Sequence, residues 1–229
     1  MSLGIMASNT ERVSLREELA ERSAAFESAP AGAVIEWAVE RFGPKLALSC
    51  SFQDAVVVDL AVRVAPDIEV IFLDTGSHFP ETLEYVETIR DRYDLNLTVT
   101  QPAEGAEQWP CGTAQCCEFR KVRPLQLALA DKDAWMTGLK RSDAPTRRDA
   151  PIVAFDENWD MVKINPLATW TELDVAGYAR DHAIPEHPLV AKGYLSIGCA
   201  PTTRPVAEGE DPRAGRWSGS DKVECGLHL

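Results

Sequence analysis

The 229-residue chain is 45% hydrophobic and 26% charged, enough apolar content for one full core. Its formal charge of −13 excludes nucleic acid and anionic membrane surfaces as partners, because phosphate-dense partners need positive surface; any anionic ligand must be small and met by a local basic patch. No apolar run approaches the roughly 20 residues of a membrane span and no signal-peptide pattern opens the chain, so the expected location is cytoplasmic, where six cysteines point to metal or redox chemistry rather than disulfides.

Apolar residues at helical spacing predict two leading helices over 14–26 and 31–41, with Ser14 and Glu17 as a capping box for the first. A strand-type run follows at 45–50, then a helical stretch to Val64. The continuous apolar run 68–73 suits a strand buried on both faces and ends in Asp74, Thr75 and Gly76. A helix over 80–93 has Pro80 in its first turn, where a missing N–H costs nothing, and a strand is expected over 96–100. Strands separated by helices of this length predict right-handed crossovers and an α/β fold, with a parallel central sheet covered by helices on both faces. Ligands of such sheets bind beyond the carboxyl ends of the strands, which singles out the turns at 49–54 and 74–79. Asp74 and Gly76 equally suit an ordinary strand-ending turn. Neither GxGxxG nor GxxxxGK[ST] occurs, so the familiar dinucleotide and P-loop readings lose support.

The spacing predicts a further helix over 113–130, carrying Cys116 and Cys117 near its start. Residues 118–148 hold 8 Lys or Arg against 4 Asp or Glu, a positive segment in an acidic chain and the place to expect a bound anion. A buried strand is expected over 135–139, with Lys140 and Arg141 just beyond its end. Segments 152–155 and 161–164 read as a hairpin, 171–182 as a helix capped by Thr171, and 184–194 as a Pro-rich loop. From Cys199 onward the chain lacks periodicity and reads as extended or mobile. Cys116, Cys117 and the distant Cys199 suit either core packing or one soft metal centre, iron–sulfur or zinc, for which four thiolates would be usual. Near the end stands Cys225, with His228 three residues on and arginines upstream. Those surroundings favour a reactive thiolate, a chance terminal cysteine being the alternative.

Taken together and in order, Leu73-Asp74-Thr75-Gly76, Cys116-Cys117, Ile197-Gly198-Cys199-Ala200-Pro201, Arg213-Ala214-Gly215-Arg216-Trp217 and Glu224-Cys225-Gly226-Leu227-His228 resemble the assimilatory adenylyl-sulfate reductases. These are relatives of the phosphoadenylyl-sulfate reductases on the adenine nucleotide alpha-hydrolase fold, and the resemblance runs from about residue 43 to the C-terminus. It implies leading helices (1–42), a nucleotide-binding α/β domain (43–198) and a mobile tail (199–229) carrying the catalytic cysteine. It also implies attack of the Cys225 thiolate on the sulfur of adenosine 5′-phosphosulfate, leaving an S-sulfocysteine that thioredoxin reduces with release of sulfite. On this reading His228 sits near the thiolate or the sulfate. Ser51, Asp74, Thr75 and Gly76 hold the nucleotide, while Lys121, Lys140 or Arg141, Arg213 and Arg216 offset the phosphosulfate charge. Cys116, Cys117 and Cys199 would bind a 4Fe-4S cluster.

One position departs from the family pattern, for Thr202 stands where a fourth cysteine is expected. The site is then an incomplete or labile cluster on three cysteines, one completed by Cys111 or Cys50, or one that has been lost. The cysteine pair implies the nucleotide without a 3′-phosphate, with a 3′-phosphoadenylyl-sulfate reductase lacking a working cluster as the alternative. A non-catalytic redox or iron sensor explains the cysteines but not Cys225 with its cationic company. A nucleotide-activating ligase on the same fold would need a pyrophosphate loop that residues 49–54 do not provide. A homo-oligomer is left open.

Overall fold

The structure, a computed structural model, describes residues 9–217, 222 and 224–227. Its strands form one mostly parallel six-stranded sheet. In chain order these are β1 (Leu46–Ser49), β2 (Glu69–Leu73), β3 (Leu97–Thr100), β4 (Ala134–Thr137), β5 (Val153–Asp156) and β6 (Met161–Ile164), and in space they run β3-β2-β1-β4-β6-β5. β1 pairs parallel with β4, Leu46 opposite Ala134 and Ser49 opposite Thr137, and β4 pairs parallel with β6. The hairpin expected from residues 152–164 is present, with β5 and β6 antiparallel. Fully buried Trp135 and Met136 of β4 carry the continuous apolar pattern of a strand covered on both faces. No helix among the described residues is long and apolar enough to cross a membrane.

By its contacts the chain divides into two compact units. One takes the chain up to Cys50, Val56–Val70 and Leu129–Ile184; the other takes Ser51–Ala55, Ile71–Ala128 and everything from Pro185 on. In the first unit, α1 (Asn9–Phe26) packs on β5, and its buried Ser23 accepts the backbone N–H groups of Ile152 and Val153 at 3.0 and 3.3 Å. α1 extends N-terminal of Ser14, so the expected capping box is not formed. Residues 9–13 contain no breaker, and the helix runs through them. α2 (Ala31–Phe42) packs with α3 (Val56–Val64), and α7 (Glu172–Asp181) has a capping box in which Thr171 and Asp174 exchange hydrogen bonds.

In the second unit, α4 (Pro80–Tyr93) starts at its proline as expected. The single helix predicted over 113–130 is broken into α5 (Ala114–Cys117), a π-helical turn (Glu118–Val122) and α6 (Arg123–Ala128). Pro124 is the physical cause. It has no N–H to return to Arg120 and its ring crowds that carbonyl, so the turn widens and the N–H of Arg123 bonds Glu118 five residues back.

The expectation of an extended tail is corrected over 199–217. There the chain makes a 3₁₀ turn (Ala200–Thr202), and a bridge pairs Thr203 with Arg216. Hydrogen bonds run from Arg204 N–H to the Gly215 carbonyl (3.0 Å) and from Trp217 N–H to the Thr202 carbonyl (2.8 Å). A Cβ at Gly215 would collide with the Arg204 carbonyl, so glycine is what permits this close backbone pairing, and buried Trp217 anchors it. Such a loop is held by backbone pairing and one aromatic anchor. It therefore leaves no side-chain periodicity to read.

His187 of the same unit is buried. Its Nδ1 accepts the N–H of Leu189 (3.2 Å), so the ring is neutral and Nε2–H donates to the Thr82 hydroxyl (3.1 Å). Burial holds its pKa down from the ordinary 6.5 to about 4, against a weaker pull from Glu81. Below pH 6.5 the unfolded chain takes up a proton that the folded chain refuses. The stabilisation is therefore complete above pH 6.5 and is lost as pH falls toward 4, by about 2 kcal/mol with solvent screening included. Urea unfolding of the wild-type chain and of His187→Gln at pH 7.0 and 5.0, values chosen to bracket that window, checks this. The wild type is expected to lose the larger stability between the two.

Candidate active site

All the residues described next as coming together belong to the second unit. The turn after β2 closes on itself. Asp74 Oδ1 accepts the N–H of Gly76 (2.9 Å), and Gly76 takes φ +63, a conformation that glycine adopts without strain. Arg120, brought round by the π-helical turn, donates to the Thr75 carbonyl (2.7 Å) and the Ala106 carbonyl (3.3 Å). Thr75 is buried and its hydroxyl lies 3.7 Å from the Cys199 sulfur, while the N–H of Ala200 donates to the Ser77 carbonyl (2.7 Å). The turn expected to hold a ligand thus also positions the loop that carries Cys199. Ser51 is exposed, beside Phe52, which takes φ 54 and is buried edge-on to Phe72. Gln53 Oε1 accepts the Ile197 N–H (3.0 Å), tying the segment after β1 to the same loop.

Cys111, Cys116, Cys117 and Cys199 are free thiols, the last three buried. Cys111 and Cys199 shift each other's ionisation in opposite directions. Cys199 is held down to about 4, first by the bond from Cys111, then by the Lys121 charge, the Thr75 hydroxyl and His78, all against burial. Cys111 is pushed far above the ordinary thiol range by that bond, by burial and by the charges of Cys199 and Cys116. Lys222 donates to Cys117 Sγ (3.0 Å) and to the carbonyls of Gly112 and Thr113, both at 3.2 Å. Among the described residues no group of three or more His, Cys, Asp or Glu side chains could hold a single metal ion.

Lys121 is the hub. Burial would push its pKa down, but Cys199, Cys225 and Cys117 outweigh burial and the opposing Arg216 charge, and hold the ammonium above its ordinary value. Cys225 is half-buried, next to buried Glu224, whose carboxylate lies 3.8 Å from Arg213. Arg213 and Arg216 both lie over Trp217, at 5.5 and 4.7 Å from its ring centre. Arg216 donates to the Ile197 carbonyl (3.0 Å) and the Ser196 hydroxyl (3.3 Å). A Cβ at Gly198 would collide with its guanidinium, so here glycine is required for close approach rather than for an unusual φ. Gly198→Ala is expected to displace Arg216 and to weaken binding of a small anion there about 10-fold, as the loss of one charge-assisted contact of about 1.5 kcal/mol implies. Isothermal titration measures it, and unchanged affinity would count against Arg216 as an anion contact.

Lys140 and Arg141 lie in the other unit with carboxylates of their own. Lys140 is buried at 3.0 Å from Asp143, and Arg141 grips Glu27 at 2.6 and 2.8 Å. The basic segment at 118–148 is therefore not one patch. Its Arg120 and Lys121 turn to the thiol site, while Lys140 and Arg141 are neutralised in place. His228 lies outside the described residues. The sequence singled out the segments that hold Gln53, His78 and Arg120 without giving these residues a role, and left Lys222 unmarked; charge or polarity near a motif does not reveal a target.

A mostly parallel α/β sheet, a ligand-type turn after β2, and a lysine among thiols with two arginines over Trp217 define an α/β protein with a cationic, thiol-bearing site. The profile described as "Phosphoadenosine phosphosulfate reductase domain" matches residues 44–205, and the chain belongs to that family. Proteins named adenosine 5′-phosphosulfate reductase are similar to it along most of its length. That of Streptomyces coelicolor is 46% identical, with 92% of this chain and 93% of the relative covered; that of Mycobacterium tuberculosis is 43% identical, with 97% and 99% covered. Among solved structures, phosphoadenylyl-sulfate reductase from Candida auris in a phosphate complex is similar with a TM-score of 0.70 at 27% identity, over 88% of this chain and 100% of that one. Candida glabrata FMN adenylyltransferase in complex with FAD and pyrophosphate, at 16% identity and TM-score 0.61 over 97% of this chain and 82% of that one, shares the fold.

Proposed function

We propose that this chain reduces adenosine 5′-phosphosulfate to sulfite and AMP in sulfate assimilation, with Cys225 as nucleophile. The feature that carries the reading is the Lys121 ammonium, whose charge is favoured by Cys225 together with the thiols of Cys199 and Cys117. The sulfate of the nucleotide is anionic, so an approaching thiolate needs its repulsion offset, and Lys121, Arg213 and Arg216 supply that charge. The Cys225 sulfur forms a bond to the sulfate sulfur as the bond from that sulfur to the phosphate oxygen breaks. The departing electron pair stays on AMP, and a cysteine S-sulfonate is left on the chain. A dithiol protein of the thioredoxin class then attacks the Cys225 sulfur; sulfite leaves, and the resulting mixed disulfide is resolved by the second thiol, with two electrons coming from the dithiol. Ser51 and the Asp74-Thr75-Gly76 turn are proposed to hold the nucleotide. His228 is proposed to assist at the sulfate, and the tail to open for the dithiol partner.

The donor set fits an iron–sulfur cluster. Such a cluster takes one thiolate per iron at separate corners, so its thiols surround a volume instead of converging on one ion. Here buried thiols lie beside two lysines that balance their charge. When bound, the cluster supplies a compact charged core that ties α5 to the 199 loop, without donating electrons to the sulfur. Cys116, Cys117 and Cys199 would hold it.

The reading is tested by mixing reduced protein with adenosine 5′-phosphosulfate and mapping the product by mass spectrometry. One added SO₃ on Cys225 is expected, and no adduct on any cysteine would sink the proposal. Faster turnover of the 3′-phosphorylated nucleotide would keep the chemistry but reassign the substrate.

A further inference from the structure

Position 202, where the family pattern places a fourth thiol, is threonine, and the structure shows what stands beside it. Cys111 Sγ lies 3.9 Å from Thr202 Oγ1, and Thr202 belongs to the 3₁₀ turn that Cys199 opens, its N–H donating to the Cys199 carbonyl (3.1 Å). The backbone is arranged to bring this about. Cys111 sits on the turn that leads into α5, where Thr113 bonds back to the Pro110 carbonyl through its hydroxyl (2.9 Å) and caps the helix by accepting the Cys116 N–H (3.1 Å). Between them Gly112 takes φ +97, and a Cβ there would stand 3.1 Å from the Thr202 methyl. The turn bearing Cys111 is thus pressed onto residue 202 and linked to the helix that carries Cys116 and Cys117. The reaction assigned to Cys225 uses none of these four thiols.

We propose that Cys111 provides the fourth thiolate of the iron–sulfur site, in place of residue 202, completing the set Cys111, Cys116, Cys117 and Cys199. This rests on the reading above that the chain carries a cluster. Sulfur at 111 is a far better iron ligand than the hydroxyl at 202. The Thr202 hydroxyl, which donates to the Cys199 carbonyl (3.4 Å), is left as an outer neighbour of the Cys111 sulfur, an arrangement that orients a ligand.

The full-length chain and its variants, purified without oxygen, are compared for iron, acid-labile sulfide and Mössbauer signature. The wild type is expected to hold about four irons. Cys111→Ser should fall to about three or fewer, with the four-iron signature lost. Cys111→Ser combined with Thr202→Cys should recover the wild-type content, which separates a missing ligand from a misfolded chain. Cys50→Ser should match the wild type. Full iron in Cys111→Ser overturns the inference and leaves the cluster reading intact. Iron loss in the double variant as well makes Cys111 structural and overturns it too. A wild-type chain that takes up no iron on reconstitution, or that holds a Cys111–Cys199 disulfide, removes the cluster and this inference together. The SO₃ adduct on Cys225 is judged separately.

Discussion

Cys225→Ser lowers sulfite release by more than about 10³-fold, because an unionised hydroxyl cannot displace AMP and removal of a catalytic nucleophile commonly costs this much or more. Nucleotide affinity is expected to change by less than about 3-fold, since Lys121, Arg213 and Arg216 are untouched and binding and chemistry are separable terms. The split is the informative part. A serine variant that binds normally, releases no sulfite and acquires no SO₃ assigns the sulfur of residue 225 to bond making. Steady sulfite release at the wild-type rate would assign the chemistry to another thiol, with Cys111 and Cys199 the first to examine.

Lys121→Gln is expected to reduce kcat/KM by about 10²–10³-fold, the range seen when one preorganised cationic or hydrogen-bonding group is withdrawn from a developing anion. Its ammonium interacts electrostatically with Cys117, Cys199 and Cys225, and is opposed by Arg216. Removing it leaves the thiols and the incoming phosphosulfate to repel one another. Lys121→Arg, which keeps the charge but spreads it over a planar fork, should recover only part of the activity. Initial rates across nucleotide concentration measure both variants, and a glutamine variant within about 3-fold of wild type would remove Lys121 from the mechanism.

The element order was legible in the sequence wherever one side-chain period ruled. The apolar run before Asp74 gave β2, Pro80 marked the start of α4, and Thr171 marked the start of α7, because strand burial, proline geometry and capping all act locally. The loop from 199 to 217 was misread as extended, since a bridge between Thr203 and Arg216 leaves no repeating pattern in the residues between. The charge run at 118–148 was also read too simply. Sequence counts charges, while structure decides that Arg141 meets Glu27 and Lys140 meets Asp143.

The residues alone determined the chemistry the chain has to work with: a pair of adjacent thiols, a lone cysteine near the end, arginines beside Trp217, and a threonine at 202. Only the tertiary structure decided which of these meet. Pro124 widens the helix after Cys117 so that Arg120 reaches the Thr75 carbonyl, and the missing Cβ atoms of Gly112 and Gly198 leave room for the Thr202 methyl and the Arg216 guanidinium. The longest of these contacts, between Cys111 and Thr202, joins residues 91 positions apart. Their partners are set by backbone packing, which no local pattern encodes.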